Sequence, residues 1–451
     1  LIDWMRNTRF TQEDISILRT QRSGSGKPVF DEAFLNWLKS NGDVMSVSLH
    51  AIPEGRVVHP DVPLTVVQGP LAIAQILETS LLNQLNFQIL IATKASRIRQ
   101  VCGSQLMIEF GARRGQDRGA IAGARAALIG GADYTSNVGI SQVLGYPPKG
   151  THAHSMVQLF LALGMSELDA FKAFADLYPD DCILLVDTID TLESGIPNAI
   201  KAFKMLRRKG HSPMGIRLDS GDLAHLSVRA AKILNDAGFP QVKIILSNEL
   251  DEMNIWQILT QISQEAPKHG IDPDELAGRL AYGVGTRLIT SAGYSALGGV
   301  YKLVAVRNEN HWVPVVKISE SLEKIPNPGN KKVWRIYDRR EKSNADLIGL
   351  PEENPGEQER ILLSHPWDQS KTRTIESRNI SGIEQLLVEV LREGNLVYNF
   401  PSIDDIRALR ESDTEKLDNG VRRLMNPHTY HVSVTRKLWD LKQRLIQEMK
   451  N

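Results

Sequence analysis

The pattern of apolar and polar positions changes several times along the chain. Residues 1–40 have the spacing of helices, and Thr11, followed by acidic residues, predicts a helix N-cap. Residues 44–67 alternate apolar and polar positions, which predicts β-hairpins of a small sheet. A long amphipathic helix is predicted next, over 70–101. The chain therefore begins with a mixed region of helices and strands.

Short apolar runs then alternate with helical stretches. The runs predicted as strands are 106–110, 132–137, 149–154, 183–188, 214–219, 242–247 and 280–285, with helices between several of them, such as 196–208 and 223–237. A series of about seven βα units favours a barrel over an open sheet. The predicted fold class is therefore α/β, with an irregular parallel β/α barrel.

The period-two pattern returns between residues 301 and 337, which predicts antiparallel strands of a second, smaller sheet. Residues 402–451 have the pattern of two polar amphipathic helices. The predicted domains are 1–72 (helix and β-sheet), 73–297 (catalytic α/β barrel), 298–400 (a β-rich segment packing with the N-terminal domain) and 401–451 (C-terminal helices).

Composition narrows the class of protein. The 451 residues include 53 Lys and Arg against 53 Asp and Glu, which argues against a general nucleic-acid or membrane-surface binder. Cys102 and Cys182 give neither a disulfide framework nor a metal quartet, so we expect a reducing compartment. No apolar run approaches a membrane span, and the first residues lack a signal-peptide pattern. We expect a cytoplasmic protein, and the start at Leu1 is consistent with a sequence that begins inside a longer one.

Candidate chemistry concentrates where the predicted barrel strands end. These ends carry Glu109 with Arg113 and Arg114; Ser136 and Asn137; His152 and His154; Asp187 and Thr188; Arg217, Asp219 and Asp222; Ser247 and Asn248; and Gly283, Gly285 and Thr286. A helix cap or a turn explains any one of these ends, but it explains the whole set poorly. Because the carboxyl ends of barrel strands share one face, we predict a polar site there.

Two of these strand ends suggest particular roles. Arg217 and Asp219 lie two apart on a strand and so face the same way, and an arginine fork suits a carboxylate or a phosphate. Asp219 and Asp222 suit ribose hydroxyls or water-bound Mg²⁺ on a pyrophosphate, the alternative being an ion pair with a helix cap. The glycines of segment 283–286 let the backbone approach a phosphate.

The histidine pair before residue 155 has two possible uses. A neutral imidazole at His152 or His154 is a nucleophile toward phosphoryl groups, and Gly150, Thr151 and Ser155 suit a phosphate. A zinc site is not favoured, because no third ligand lies nearby in the sequence. A structural histidine is the other interpretation.

Several segments together resemble the nicotinate phosphoribosyltransferase family. The segments that carry the resemblance are 86–95, 109–114, 150–155, 217–223 and 297–304, within a similarity that runs from about Phe10 to the end of the chain. The resemblance implies a type II phosphoribosyltransferase fold, with an irregular α/β barrel and a smaller β-rich domain. It also implies a homodimer with active sites at the subunit interface, the use of Mg²⁺, and ATP hydrolysis coupled to the transfer.

The resemblance also implies a reaction and roles for residues. The 5-phosphoribosyl group of phosphoribosyl pyrophosphate would pass to nicotinate, giving nicotinate mononucleotide and pyrophosphate in the first step of NAD synthesis from nicotinate. The phosphorylated histidine falls on His154, and the catalytic set is completed by Arg217 and Asp219. The implied substrate and phosphate contacts are Lys94, Arg97, Arg113, Ser136, Asn137, Gly150, Thr151, Ser155, Asp222, Ser247, Asn248, Gly283, Gly285 and Thr286.

The sequence departs from the family pattern in two places and leaves alternatives open. A segment Thr-Asp-Leu-Tyr-Gln, whose tyrosine stacks on the pyridine ring across the dimer, is absent from this sequence, and the loop 113–117 is one residue shorter around its glycine. The nearest alternative is a nicotinamide phosphoribosyltransferase. Quinolinate phosphoribosyltransferase shares the fold but is shorter and needs no histidine phosphorylation. A barrel aldolase or isomerase would need a Schiff-base lysine, for which Lys149 is the strand-start candidate, and a non-catalytic interaction protein is the last alternative.

Overall fold

The computed structural model describes residues 1–309, 311–368 and 370–450. The chain forms two compact units. One unit comprises Leu1–Leu85 and Gly298–Asn451, and the other comprises Asn86–Leu297. We call them the terminal unit and the central unit, because the first is built from both ends of the chain and the second from its middle.

The helices and strands follow one another along both units. The helices are α1 (Ile2–Arg6), α2 (Gln12–Thr20), α3 (Glu32–Asn41), α4 (Leu71–Cys102), α5 (Arg118–Gly130), α6 (Val138–Leu144), α7 (His154–Ala162), α8 (Glu167–Leu177), α9 (Ile196–Arg208), α10 (Leu223–Asp236), α11 (Glu252–Glu265), α12 (Pro273–Arg279), α13 (Thr286–Ile289), α14 (Ile403–Lys416) and α15 (Arg436–Lys450). The strands are β1 (Ser48–Ala51), β2 (Thr65–Gln68), β3 (Leu106–Glu109), β4 (Tyr134–Thr135), β5 (Ile183–Leu185), β6 (Gly215–Leu218), β7 (Lys243–Ser247), β8 (Leu280–Val284), β9 (Ala305–Asn308), β10 (His311–Pro314), β11 (Lys332–Asp338), β12 (Ser343–Gly349), β13 (Arg360–Ser364), β14 (Thr372–Glu376), β15 (Ile380–Gln385), β16 (Val388–Arg392), β17 (Asn395–Leu396) and β18 (Val432–Val434). Among the described residues, none of the helices is long and apolar enough to span a bilayer.

Over its described residues, the central unit is organised around a six-stranded sheet of order β4-β3-β8-β7-β6-β5, and all of its strand pairs are parallel. Every residue of β8 is buried, as expected for a parallel strand covered on both faces. Phe171 of α8 and Phe203 of α9 belong to the same apolar core as Leu184 and Tyr282 of the strands. Because the strands are parallel, their carboxyl ends lie at one edge of the sheet, where the predicted polar residues follow.

The predicted strand over 149–154 is the one run of this series that does not form a strand. Pro147 and Pro148 lack N–H groups directly before it, so the chain cannot enter a ladder there. The Lys149 N–H donates to a carbonyl of β4 at 3.1 Å, and the last N–H of β5 donates to the ring of His152 at 3.0 Å. The segment therefore connects the two edge strands without pairing with either, and the predicted count of about seven strands was one too high.

Local signals located most helices well. The predicted helices 196–208 and 223–237 correspond to α9 and α10, and the predicted long helix corresponds to α4. Thr11 caps α2 in a capping box with Asp14, as its position before acidic residues predicted. Residues 1–40, predicted as helical, contain three short helices, and Thr11 and Asp31 cap the second and the third.

The terminal unit contains sheets that are mainly antiparallel, with one parallel pair, β12 with β18. The order of one sheet is β17-β16-β1-β2, in which Leu49 of β1 lies opposite Leu391 of β16. The order of the other is β14-β13-β18-β12-β11-β15, and β9 and β10 form a separate hairpin. The two predicted C-terminal helices are α14 and α15, and β18 between them was not predicted.

A buried cluster of charges lies inside the terminal unit. The guanidinium of Arg335 is 0% exposed and contacts the carboxylate of Asp346 at 2.8 and 2.9 Å. It also contacts Asp413 at 3.0 Å and the carbonyl of Val57 at 2.7 Å, and Arg56 contacts Asp413 at 2.8 Å. We call this the terminal charge cluster. Its arginines are fully engaged by protein atoms, which is what a buried charge requires.

Candidate active site

The carboxyl ends of four central strands, β3, β6, β7 and β8, surround a cleft of about 150 Å³. The residues that line it are Phe110, Arg113, Arg114, Arg217, Asp219, Ser247, Asn248, Glu249, Gly283, Gly285 and Thr286. The structure thus brings together Arg217, Asp219 and the segment 283–286, as a shared site at this face requires.

Arg217 forms one wall of the cleft. Its Nε donates to the hydroxyl of Ser247 at 2.8 Å, and a terminal nitrogen donates to the hydroxyl of Thr151 at 2.8 Å. The other terminal nitrogen lies 3.1 Å from Oδ1 of Asp219, and the guanidinium carbon lies 5.5 Å from the centre of the Phe110 ring. Two neutral hydroxyls and one carboxylate therefore orient the guanidinium while leaving it able to pair with an anion in the cleft.

His154 opens α7 and lies beside the cleft. Its Nδ1 is 3.1 Å from the hydroxyl of Thr188, and its Nε2 is 3.8 Å from both Oδ1 of Asp187 and Oδ2 of Asp219. The histidine side chain is 38% exposed, whereas that of Asp187 is 2% exposed. Asp187 accepts through Oδ2 from the Asp219 N–H and the Ser220 hydroxyl, but its buried Oδ1 has no hydrogen-bond partner among the described residues. Such an oxygen is suited to a cation or to a protonated group.

The two histidines of the predicted pair face different surroundings. On a strand His152 and His154 would share one face, but here His152 is buried and its ring packs against Phe174 with centroids 4.9 Å apart. Thr151, between the cleft and this buried ring, reaches Arg217, as described above. Gly150 and Ser155, also predicted as phosphate contacts, flank the segment and are exposed.

The cleft depends on a glycine at position 283. A Cβ atom there would lie 2.4 Å from a ring carbon of Phe110, a distance that side chains do not tolerate. The aromatic ring can therefore approach the backbone of β8 this closely only because residue 283 has no side chain.

The backbone after β7 is strained where it lines the cleft. Asn248 has a φ of 104° and Glu249 has a φ of 49°, in a region that residues with side chains rarely adopt. Backbone strain of this kind persists where the surrounding structure enforces it and is concentrated at functional sites.

Glu109, the last residue of β3, connects β3 to the end of β4 just before the loop that carries Arg113 and Arg114. Its carboxylate accepts from the hydroxyl of Thr135 at 2.6 Å and from the backbone N–H of Gly111. Burial raises the pKa of Glu109, and these two hydrogen bonds oppose the rise. Ser136 donates its N–H to the Glu109 carbonyl at 2.9 Å, and Asn137 caps α6. The two predicted contacts Ser136 and Asn137 thus lie at a strand end, although neither is among the described residues that line the cleft.

Three other predicted contacts have protein partners outside the cleft. Lys94 and Arg97 of α4 form ion pairs with Glu252 at 2.7 and 2.9 Å. Asp222 caps α10 and accepts from Gln261 at 3.0 Å. These contacts correspond to the structural alternative that the sequence left open for Asp222, and the substrate roles of the three residues stay predictions.

Some residues of the site were not predicted as contacts. Asp187 and Thr188 were noted only as polar residues after β5, and their pairing with His154 depends on distances that a sequence does not contain. Phe110 had a usable signal, because it directly follows β3 among residues that end strands. Glu249 had no such signal in the sequence, because it is one of several polar loop residues that follow β7.

A larger cleft, of about 800 Å³, lies in the terminal unit. Trp367, Trp439 and Lys442 are among its lining residues. The ammonium of Lys442 already donates to the carbonyl of Ile325 at 2.8 Å and, at 3.3 Å each, to Asn327 and the Pro366 carbonyl. None of the predicted contacts lines it, so we place the chemistry in the smaller cleft despite the difference in volume.

Comparisons with known proteins cover nearly the whole chain. Three family models match in succession: the nicotinate phosphoribosyltransferase N-terminal domain over residues 1–86, the nicotinate phosphoribosyltransferase family over 106–332 and the C-terminal domain over 330–442. A nicotinate phosphoribosyltransferase of Bacillus subtilis (strain 168) is 38% identical over 452 residues, which cover 100% of this chain and 86% of the relative. The human nicotinate phosphoribosyltransferase is 30% identical over 488 residues, which cover 97% of this chain and 86% of the relative.

Solved structures agree with these matches. The crystal structure of human nicotinic acid phosphoribosyltransferase superposes with a TM-score of 0.78 at 28% identity, covering 98% of this chain and 90% of that one. A nicotinate-nucleotide pyrophosphorylase from Pyrococcus furiosus gives a TM-score of 0.60 at 24% identity, covering 82% of this chain and 81% of that one. The second likeness concerns the fold alone.

Proposed function

The chain belongs to the nicotinate phosphoribosyltransferase family, and from this premise we propose how the cleft of the central unit carries out the transfer. The chain is an enzyme of NAD biosynthesis, and its matches support nicotinate as the base rather than the nicotinamide alternative. The observation that carries the proposal is the approach of His154 Nε2 to Asp219, a residue of the cleft wall, at 3.8 Å.

Phe110 and Arg217 are the groups that we assign to the base. Nicotinate is a planar ring with a carboxylate, and the Phe110 ring offers it a flat apolar surface at the cleft. The guanidinium of Arg217 lies close to that ring and suits a carboxylate. The neutral carboxamide of nicotinamide cannot form an ion pair with this guanidinium, which explains a preference for nicotinate.

Asp219 and the cations of the cleft act on the sugar and its phosphates. The ring nitrogen of nicotinate donates its lone pair to the anomeric carbon while the bond to pyrophosphate breaks. The carboxylate of Asp219 accepts hydrogen bonds from ribose hydroxyls and stabilises the positive charge that develops on the sugar. Arg113, Arg114 and the backbone of segment 283–286 bind the phosphates, and the departing pyrophosphate carries the electrons of the broken bond.

The donor set also fits Mg²⁺. Asp187 offers a buried carboxylate oxygen that lacks a hydrogen-bond partner in the described part of the chain, and Asp219 lies next to it. Mg²⁺ is commonly held by one or two carboxylates together with substrate phosphates, where it neutralises phosphate charge. We assign Asp187 and Asp219 to this role, because Asp222, the other predicted ligand, caps α10.

His154 is the phosphoryl acceptor in this proposal, with ATP as the donor. If Nδ1–H donates to Thr188, the lone pair of Nε2 is free to attack the γ-phosphorus of ATP. The new N–P bond forms as the P–O bond to ADP breaks, and later hydrolysis of the phosphohistidine releases inorganic phosphate. The carboxylates of Asp187 and Asp219, each 3.8 Å from Nε2, stabilise the positive charge that the ring acquires as the N–P bond forms.

A homodimer is part of the proposal because of an apolar surface on α7 and α8. Leu159 of α7 and Leu177 of α8 are 56% and 74% exposed, and Leu163 and Tyr178, which directly follow these helices, are 68% and 53% exposed. Several large apolar side chains exposed on two packed helices are typical of an interface. Since α7 begins with His154, a second copy on this surface would lie near the site.

Replacement of His154 tests the phosphoryl step. We expect His154→Ala to lose the covalent label from γ-labelled ATP and the stimulation of nicotinate mononucleotide formation by ATP, while transfer without ATP persists. The matched control is His225→Ala, which removes a partly exposed histidine of α10 that contacts Glu265 and not the cleft. Full ATP stimulation in His154→Ala would refute the assignment. Rates with nicotinate, nicotinamide and quinolinate under identical conditions test the base.

A further inference from the structure

The open edge of the central sheet has an unusual hydrogen-bond partner. β5 is an edge strand: the Val186 N–H directly after it donates to Arg217 of β6, and the preceding Leu185 N–H has no neighbouring strand to bond. Instead, the Leu185 N–H donates to Nε2 of His152 at 3.0 Å. An imidazole nitrogen thus stands where a strand carbonyl would be in a continuous sheet.

The surroundings of His152 favour one protonation state and one tautomer of its imidazole. It is 9% exposed and packs edge-on against Phe174, and the centre of the Phe171 ring lies 6.2 Å from its own. Burial lowers the pKa of His152 to about 4, so the ring is neutral near pH 7. Because Nε2 accepts a hydrogen bond, the proton must be on Nδ1, which lies 3.3 Å from the Ala153 carbonyl.

The residues on either side of His152 are the ones that reach the site. Thr151 accepts from Arg217 at 2.8 Å, and His154 lies within 3.1 Å of Thr188. The segment forms no strand ladder: its backbone bonds the sheet through the Lys149 N–H to the Thr135 carbonyl, and its side chains through His152 to β5 and Thr151 to Arg217 of β6. The position of Thr151 and His154 therefore depends strongly on where the His152 side chain is anchored.

We propose that His152 is a positioning residue, which sets the place of Thr151 and His154 in the cleft by bonding the exposed edge of β5 through its imidazole. The inference rests on the proposed phosphorylation of His154. A displacement of about 1 Å in a reacting group can lower a rate by about 100-fold, so loss of this one anchor has a measurable effect.

Two substitutions at position 152 separate the hydrogen bond from the packing. His152→Phe keeps an aromatic ring against Phe174 but has no acceptor for the Leu185 N–H. His152→Gln supplies an oxygen near the position of Nε2. At saturating ATP, we expect labelling of His154 to slow by about 100-fold in His152→Phe, with little change in the KM for ATP, and to recover at least tenfold in His152→Gln. Hydrogen exchange of the Leu185 amide should be faster in His152→Phe and slow again in His152→Gln.

Either of two results would overturn the inference: labelling of His152→Phe at the wild-type rate, or a Leu185 amide that exchanges as slowly in His152→Phe as in the wild type. If His152→Phe does not fold, His152→Asn replaces it, because the shorter amide cannot reach the Leu185 N–H and the same losses are expected. Retention of the label in His154→Ala would instead defeat the proposed function, and the exchange of the Leu185 amide would then decide the positioning role independently.

Discussion

Each unit contains an arginine paired with aspartate, but the two arginines differ in their remaining hydrogen-bond partners. Arg335 of the terminal unit is fully buried and donates to Asp346, Asp413 and a backbone carbonyl. Arg217 of the central unit is 17% exposed, and its partners are two neutral hydroxyls and one carboxylate. The first set of contacts balances the charge within the protein, whereas the second leaves part of it for a ligand.

This difference separates a structural charge from a functional one. A buried ion pair needs a full set of partners, because an uncompensated charge in the interior is strongly destabilising. A charge that is only partly compensated at a cleft is suited to bind an anion. Residue type does not distinguish the two arginines, so the predictions below test the distinction itself.

The largest expected effect is on stability. Arg335→Met leaves the buried carboxylates of Asp346 and Asp413 without their main partner, and we expect a loss of about 3–5 kcal/mol in the free energy of unfolding. Urea unfolding followed by tryptophan fluorescence measures this loss. Arg340→Met, which removes an exposed arginine paired with Asp338, is the control and should change stability by less than about 0.5 kcal/mol. A loss below about 1 kcal/mol for Arg335→Met would contradict the structural role.

The next effect is on catalysis. Arg217→Met removes a preorganised cation from the cleft, and we expect kcat/KM for nicotinate to fall by about 10²–10³-fold with a smaller loss of stability than Arg335→Met shows. Arg217→Lys keeps the charge without the fork and should give an intermediate value. Initial rates at varied nicotinate concentration measure both variants. Wild-type kcat/KM in Arg217→Met would remove Arg217 from the proposed site.

A smaller effect concerns the acid sensitivity of His59, a partly buried histidine near Arg335 of the terminal charge cluster. His59 stacks on Tyr430 at 3.6 Å, and burial, with the charge of Arg335, lowers the pKa of His59 to about 3. Below pH 6.5 the unfolded state binds this proton and the folded state does not, so stability is lost as the pH falls from about 6.5 toward 3. Between pH 7 and pH 5 the free energy of unfolding should therefore fall by up to about 2 kcal/mol less in His59→Phe than in the wild type. Urea unfolding at both pH values measures this loss. An equal loss in His59→Phe and in the wild type would contradict a neutral His59 in the folded state.

The smallest effect tests Asp222. As a helix cap, it should contribute about 1 kcal/mol, so Asp222→Ala should lower stability by that amount while Asp222→Asn, a good cap, preserves it. Neither variant should change the KM for phosphoribosyl pyrophosphate. A KM that rises about tenfold or more in Asp222→Asn would support the substrate contact predicted from the sequence, and Asp222 would then be a functional rather than a structural charge.

The sequence predicted the central sheet well, because its strands carry a local signal. Buried parallel strands are nearly continuous apolar runs, and the polar residues at their carboxyl ends, such as Arg217 and Ser247, stand out against those runs. Parallel connectivity then brings these ends to one edge. The family resemblance supplied the reaction, which the pattern alone did not.

The features that the sequence did not predict depend on contacts between residues distant in sequence, or on the direction of side chains. Arg335 meets Asp413, 78 positions away, so no local pattern indicates the terminal charge cluster. His152 and His154 were expected to share a face because the segment resembled a strand, but without a ladder the period of two no longer applies. The position of His154 between two carboxylates could likewise not be read from spacing.

The pairing of β1 with β16 also has a consequence for biosynthesis. Leu49 and Leu391 lie opposite each other, yet about 340 residues separate them, which a ribosome takes roughly 17–70 seconds to add at about 5–20 residues per second. The central unit is contiguous and can fold while the last partners of the terminal unit are still being made. During that interval one edge of β1 lacks its neighbour, and an unpaired strand edge invites aggregation, so we expect the nascent chain to depend on chaperones until β16, in the last sixth of the protein, emerges.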